Sequence, residues 1–100
     1  MPSKPRLEWR PQAGADLLEI IAFIADDNPD AAQKLKDEIE RKVADLADFP
    51  KLHKLSPRVK GIREMVVRDN YIVFYREMPE LVEIVSVVHA RRHWPPVRKS

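Results

Sequence analysis

The sequence predicts an α+β domain with the element order β-α-α-β-β-β, a helical hairpin packed on a mainly antiparallel sheet. Three observations predict it: a short period-two stretch near the start, two helical stripes that meet at Asn28-Pro29-Asp30, and three β-type runs between residues 62 and 88. With 100 residues, 44% of them hydrophobic, the chain can bury one modest core, so a single domain over residues 1–100 is expected.

Arg6-Leu7-Glu8-Trp9-Arg10 alternates polar and apolar residues as a half-buried strand does, and Pro11 ends it. From Gln12 the period becomes helical. Leu17, Ile20, Ile21 and Ile24 share one stripe, with Asp16 and Glu19 expected near the positive N-terminal end of the helix dipole. Asn28 can cap free N–H groups, Pro29 suits a first helical position and Asp30 a first turn, so a second helix begins at Pro29. Its stripe, Ala32, Leu35, Ile39, Val43, Leu46 and Phe49, runs for about five turns and should stop at Pro50. Lys34/Glu38, Asp37/Arg41 and Glu38/Lys42 stand at i,i+4 on its other faces, scaffold pairs of about 0.2–0.5 kcal/mol each.

Residues 51–60, polar, basic and containing Ser56-Pro57, read as a solvated connector, after which Gly61 permits a tight turn. The β-type runs cover 62–68, 71–77 and 81–88. Asp69-Asn70, types that tolerate positive φ, and Met78-Pro79-Glu80 split them into a meander. Tyr71-Ile72-Val73-Phe74-Tyr75 is apolar on both faces, as a central strand would be. Helices cover one face of such a sheet; the other holds a second core or stays open for a partner.

Cysteine is absent, which excludes disulfides and thiolate zinc sites and suits a reducing, cytoplasmic setting. Neither a metal nor a cofactor is expected, and no stretch approaches the ~20 apolar residues of a membrane span. The net charge of +2 conceals a division: residues 12–49 carry ten acids against four bases, residues 50–76 seven bases against two acids, and residues 89–100 four bases and no acid. A field divided this way steers the basic side toward an anionic or protein target, although a solvated charge mosaic would look the same. The last β run spills into His89-Ala90-Arg91-Arg92-His93-Trp94-Pro95-Pro96, which puts cations and a stacking ring at the rim of a rigid sheet.

In order and at their spacings, Ala13-x-x-Asp16-Leu17, Asn28-Pro29-x-Ala31-Ala32, Leu46-x-x-x-Pro50, Gly61-Ile62-Arg63-Glu64, Tyr71-Ile72-Val73-x-Tyr75-Arg76 and Val87-Val88-His89-Ala90-Arg91-Arg92-x-Trp94-Pro95 span nearly the whole chain. Together they resemble the RelE/ParE toxin superfamily of type II toxin–antitoxin systems, and the Ala-Arg-Arg-x-Trp-Pro ending is similar to its ParE-type branch. The resemblance implies a RelE/ParE-like fold and a growth-inhibiting toxin of the plasmid-stabilisation kind, held in a hetero-oligomer by a cognate antitoxin. ParE-type members poison DNA gyrase; RelE-type members cut messenger RNA on the ribosome.

RNA cleavage through a ribose 2′-OH needs a proton acceptor, a proton donor and fixed cations. Cations abound, and His89, His93 and Glu64 are candidate acid–base groups, but Trp94 and Pro95 stand where RelE-type enzymes carry a catalytic tyrosine, and indole is not a general acid. Inhibition by binding is therefore the reading adopted, with no catalytic residue assigned and Arg63, His89, Arg91, Arg92 and Trp94 as target-binding candidates. Each has a structural alternative. Arg63 either pairs with a local carboxylate or contacts the target. His89 is a hydrogen-bonded strand end or a site residue. One of Arg91 and Arg92 braces the fold while the other reaches out, and Trp94 either anchors the tail or forms an interface hot spot. A solitary nucleic-acid-binding module and an inactive antitoxin-binding module are the remaining classes.

Overall fold

A computed structural model describes residues 4–91 and Pro95, and it has the expected order: β1 (Arg6–Trp9), α1 (Pro11–Asp27), α2 (Pro29–Asp45), β2 (Arg63–Val67), β3 (Tyr71–Met78) and β4 (Leu81–His89). The strands form one sheet in the order β1-β4-β3-β2. β2, β3 and β4 are antiparallel neighbours, and β1 lies parallel to β4 with Arg6 opposite Leu81 and Trp9 opposite Ile84. No helix among the described residues is long and apolar enough to cross a membrane.

Pro11 is the first residue of α1 rather than a spacer, so Asp16 and Glu19 lie beyond the first turn, which holds no acid. That corrects their expected role at the helix dipole. The Asn28 side chain accepts from the Ala31 N–H at 3.0 Å and Pro29 opens α2, as the restart signal requires. Contrary to expectation α2 stops at Asp45. The chain then tightens into i→i+3 turns (Leu46 to Val43, Ala47 to Ala44, Asp48 to Asp45), and Phe49 swings off the stripe to 61% exposure. Of the i,i+4 pairs, Glu38–Lys42 forms at 3.7 Å. Arg68, in the β2–β3 turn, donates to the same carboxylate at 2.7 Å.

Leu35, Ile39, Val43 and Leu46, with Ala13 and Leu17 of α1, bury against Val67, Val73, Tyr75, Val82, Ile84 and Val87 of the sheet. The Tyr75 hydroxyl, inside this core, donates to the Pro50 carbonyl at 2.9 Å and ties the segment after α2 to the sheet. The opposite face is not open. Ile62, Ile72, Phe74 and Val88 form a second cluster, with Val59 packed against it and the Arg58 guanidinium 5.8 Å over the Phe74 ring.

Residues 51–60 accordingly do more than connect. Leu55 bridges antiparallel to Arg63, with Ser56 N–H to Ile62 O at 2.6 Å and Glu64 N–H to Lys54 O at 3.1 Å, so the segment lines the lower half of the β2 edge before crossing to the second face. Gly61, at φ 80, turns it back into β2. The next hairpin turns on Arg68 and Asp69, at φ 54 and 58, one residue earlier than Asp69-Asn70. Val67 pairs with Tyr71 and the Asn70 N–H closes the turn onto Val67 O.

β1 ends at Trp9, and its last backbone bond to β4 runs from Arg10 N–H to Ile84 O at 2.9 Å. A β-bulge between Phe74 and Tyr75 shifts the β3–β4 register at the same level. Beyond it no strand among the described residues lies beside β4 on the β1 side, and Asp16 of α1 takes that place: one carboxylate oxygen accepts from Ser86 Oγ at 2.6 Å and from Val87 N–H at 3.1 Å. Asp16→Ala should therefore cost about 1–3 kcal/mol, measured as a lowered urea midpoint with secondary structure retained.

On the second sheet face Glu83 receives two guanidinium groups, Arg76 at 2.8 Å and Arg10 at 3.3 Å. The Arg76 hydrogen bond first, and then Arg10, hold its carboxyl below the usual 4.5 against the opposing effect of burial. The folded value is the depressed one, so this stabilisation is complete above about pH 4.5 and lost as pH falls through the folded value. Glu83→Gln should flatten the acid limb of a stability–pH curve and leave the slope near neutrality unchanged.

Candidate functional site

Of the five residues expected to bind a target, the three described, Arg63, His89 and Arg91, do not form one cluster. Arg63 opens β2 opposite Tyr75, whereas His89 closes β4 opposite Tyr71. Three residues of β3, Ile72 to Phe74, lie between these positions, which stand roughly 13 Å apart along a strand. Arg63 points into the molecule: its guanidinium donates to the His53 carbonyl at 2.7 Å and stands 3.7 Å from Glu77, with 18% of the side chain exposed. This is the local-carboxylate pairing, extended by a backbone carbonyl.

His89 and Arg91 do come together. His89 is exposed, its ring meets Tyr71 edge-on at 5.4 Å, and Nδ1 accepts from the Arg91 N–H at 3.2 Å, which leaves the proton of a neutral ring on Nε2. Ala90 N–H donates to Asn70 O at 2.7 Å, so the β2–β3 turn fixes where the strand ends. The Arg91 side chain is exposed at this corner. Arg92, His93 and Trp94 lie outside the described residues.

Beside this corner the open part of the β4 edge and α1 enclose a groove of about 360 Å³, lined by Glu19, Ile20, Phe23, Tyr71, Val87 and His89 among others. Phe23 is 78% exposed at its wall, and Leu18, also on α1, is 65% exposed. The sequence reading passed over both. The available signal was that each lies off the α1 core stripe, where a large apolar residue gains nothing from folding.

Two of the groups that could exchange protons near the basic segment, Glu64 and Tyr75, are engaged. Glu64, 6% exposed, accepts from Ser56 Oγ at 2.6 Å and lies 3.6 Å from Arg58. Burial pushes the Tyr75 phenol above its ordinary range, and its proton is committed to Pro50 O. His53 packs edge-on against Tyr75 at 6.3 Å, and burial, then the charge of Lys42, lowers its pKa, which keeps it neutral near pH 7. No group of three or more metal-ligating side chains occurs among the described residues.

Comparison with known proteins adds the following. A family model described as the ParE toxin of the type II toxin–antitoxin system parDE matches residues 7–94. The chain is 40% identical over 96 residues to a candidate toxin of Sinorhizobium fredii, Y4kP, covering 95% of this chain and 98% of that protein. It is 33% identical over 84 residues to toxin RelE2 of Caulobacter vibrioides, covering 84% and 93%. Among solved structures, a chain of the chromosomal ParDE system from P. aeruginosa aligns with a TM-score of 0.76 at 21% identity, covering 86% of this chain and 96% of that one. A chain of the toxin–antitoxin complex RelBE2 from Mycobacterium tuberculosis aligns at 0.58 and 18% identity, covering 92% and 98%. At these identities the structural likeness speaks to the fold.

The contrast between the two described arginines is testable. Arg63→Ala should lower stability by about 1.5–3 kcal/mol, since it removes a charged donor from a half-buried carbonyl. Arg91→Ala should change stability by no more than about 0.5 kcal/mol. Chemical denaturation of both variants in parallel reads the difference.

Proposed function

The chain belongs to the ParE toxin family of type II toxin–antitoxin systems, and from that premise we propose that it arrests growth by binding DNA gyrase and is neutralised by a cognate antitoxin. The observation that carries the binding reading is the engagement of two groups that could exchange protons, Glu64 and Tyr75. Glu64 serves Ser56 and Arg58, and the Tyr75 hydroxyl serves Pro50, so each works as scaffold. A group that must accept or give a proton in a reaction needs a face toward its substrate.

Contact with the target is made from the corner where His89 and Arg91 meet, with Arg92 and Trp94 following them in the sequence. Arg63 supports this corner indirectly, by fixing the base of β2 against His53 and Glu77. The antitoxin takes the apolar groove between α1 and the β4 edge, where Ile20, Phe23 and Val87 offer aliphatic and aromatic surface. A segment seated there would also cover His89, so neutralisation and target contact compete for the same end of the sheet.

RNA cleavage on the ribosome is the second reading, and one observation favours it: His89 is an exposed imidazole with a cation two residues away. The two readings separate experimentally. Expression without the antitoxin should stop growth of a bacterial host, and the purified chain should inhibit supercoiling by gyrase and trap cleaved DNA while leaving messenger RNA on translating ribosomes intact. The reverse pattern would assign the RNA reading, and unimpeded growth would leave an antitoxin-binding module. Replacing Arg91 and Arg92 together by alanine should abolish growth arrest with the denaturation midpoint unchanged; full toxicity in that variant would remove the corner from the mechanism.

A further inference from the structure

The β2–β3 turn is built against its own sequence. In Arg68-Asp69-Asn70 the two residues suited to positive φ are the last two, yet the left-handed positions fall on Arg68 and Asp69, at φ 54 and 58. Aspartate tolerates that region through a local hydrogen bond of its short side chain, a device that arginine lacks. A residue strained in this way persists only where its surroundings determine it.

Two bonds to distant parts of the chain do so here. Arg68 Nε donates to Glu38 Oε1 of α2 at 2.7 Å, and the other oxygen of that carboxylate lies 3.7 Å from Lys42. The Arg68 hydrogen bond holds the Glu38 carboxyl below its usual range against the opposing effect of burial, so the acceptor is charged at neutral pH. Val67 sits on the α2 side of the sheet, in the core with Leu35 and Ile39. An Arg68 that merely continued β2 would therefore point to the opposite face, and positive φ is what returns it to α2. On the other side of the turn, Asn70 N–H closes onto Val67 O at 3.2 Å while Asn70 O, outside the β2–β3 ladder, accepts from Ala90 N–H at 2.7 Å. The next residue, Tyr71, pairs with His89 and meets its ring edge-on, and His89 Nδ1 accepts from Arg91 N–H. Turn, strand end and corner are thus one connected unit. Centred on Asp69-Asn70, as local preference favours, the turn would take Asn70 O away from Ala90.

We propose that the Arg68–Glu38 bond is a register lock, which holds the β2–β3 turn in its left-handed form and, through Asn70 and Ala90, sets the position of His89 and Arg91. Arg68 and Glu38 are positioning residues that do not touch the target. A partly exposed ion pair adds little to global stability, so its loss is felt at the corner rather than in the unfolding midpoint. The effect on growth arrest rests on the reading that this corner meets the target; the effect on the corner itself does not.

The test uses the full chain, labelled with 15N for exchange measurements and expressed without antitoxin for growth arrest. Arg68→Ala removes the tether and keeps the strain, whereas Arg68→Gly removes both, since glycine adopts positive φ freely. Glu38→Ala removes the acceptor at a helix position that alanine suits. Arg68→Ala and Glu38→Ala should shift the amide resonances of Ala90 and Arg91, and should speed exchange of the Ala90 N–H and weaken growth arrest by about fivefold or more, the ratio to which one strained residue corresponds. Arg68→Gly should restore slow exchange and growth arrest together. Unchanged Ala90 exchange in Arg68→Ala and Glu38→Ala would overturn the lock. So would equal loss of growth arrest in Arg68→Ala and Arg68→Gly with the corner resonances in place, because Arg68 would then meet the target itself. Faster exchange with growth arrest intact would support the lock and count against the corner as the target contact.

Discussion

The bond from Asp16 to Ser86 and Val87 is the constraint on which the grooved end of this fold depends. A four-residue β1 is too short to accompany the nine-residue β4, so the outer half of β4 would face solvent along its backbone. One carboxylate from α1 takes up the Val87 N–H and the Ser86 hydroxyl where β1 gives out. This fixes the distance and angle of α1 against the sheet, and so the width of the groove whose walls are Ile20 and Phe23 on one side and Val87 and His89 on the other. The cost of leaving a buried N–H and hydroxyl without an acceptor makes the arrangement close to all-or-none.

Electrostatics follow a similar economy. The basic segment looked, as a sequence, like a surface charged for steering. In the structure much of that charge is spent on the fold: Arg68 on Glu38, Arg58 on Glu64, Arg63 on Glu77 and a carbonyl, Arg10 and Arg76 on Glu83. What remains outward is concentrated at the His89–Arg91 corner and in the lysines of the 51–60 segment. The engaged arginines therefore work first as internal pairing, mostly with carboxylates of the strands themselves and in Arg68 to Glu38 across to α2, and only then as a field.

Local signals in the sequence carried the elements well. Asn28-Pro29-Asp30 restarted the helix where expected because capping is a matter of neighbouring residues, and the apolar runs gave the strands to within a residue or two. The family resemblance held as well, since its motifs mark turns and strand centres. Long-range partnerships were hidden. Nothing in periodicity shows that Asp16 reaches Ser86, that residues 54–56 fold back on β2, or that Arg63 turns inward to a carbonyl ten residues earlier. These are pairings across space whose members carry no pattern of their own. Phe49 illustrates the converse failure: it continued the α2 stripe on paper, but i→i+3 turns changed the pitch before it was reached.

The parallel pairing of β1 with β4 bears on when the protein becomes itself. Arg6 meets Leu81 and Trp9 meets Ile84, so the first strand must wait for nearly the last to find its neighbour. Such distant closure is slow, since loop entropy has to be surrendered before the contacts reward it. A chain whose β4 has yet to be made has no finished sheet, no Asp16 anchor and no groove. Production of the toxin is thereby separated in time from its finished form, and an interrupted translation product is born without the groove between α1 and β4.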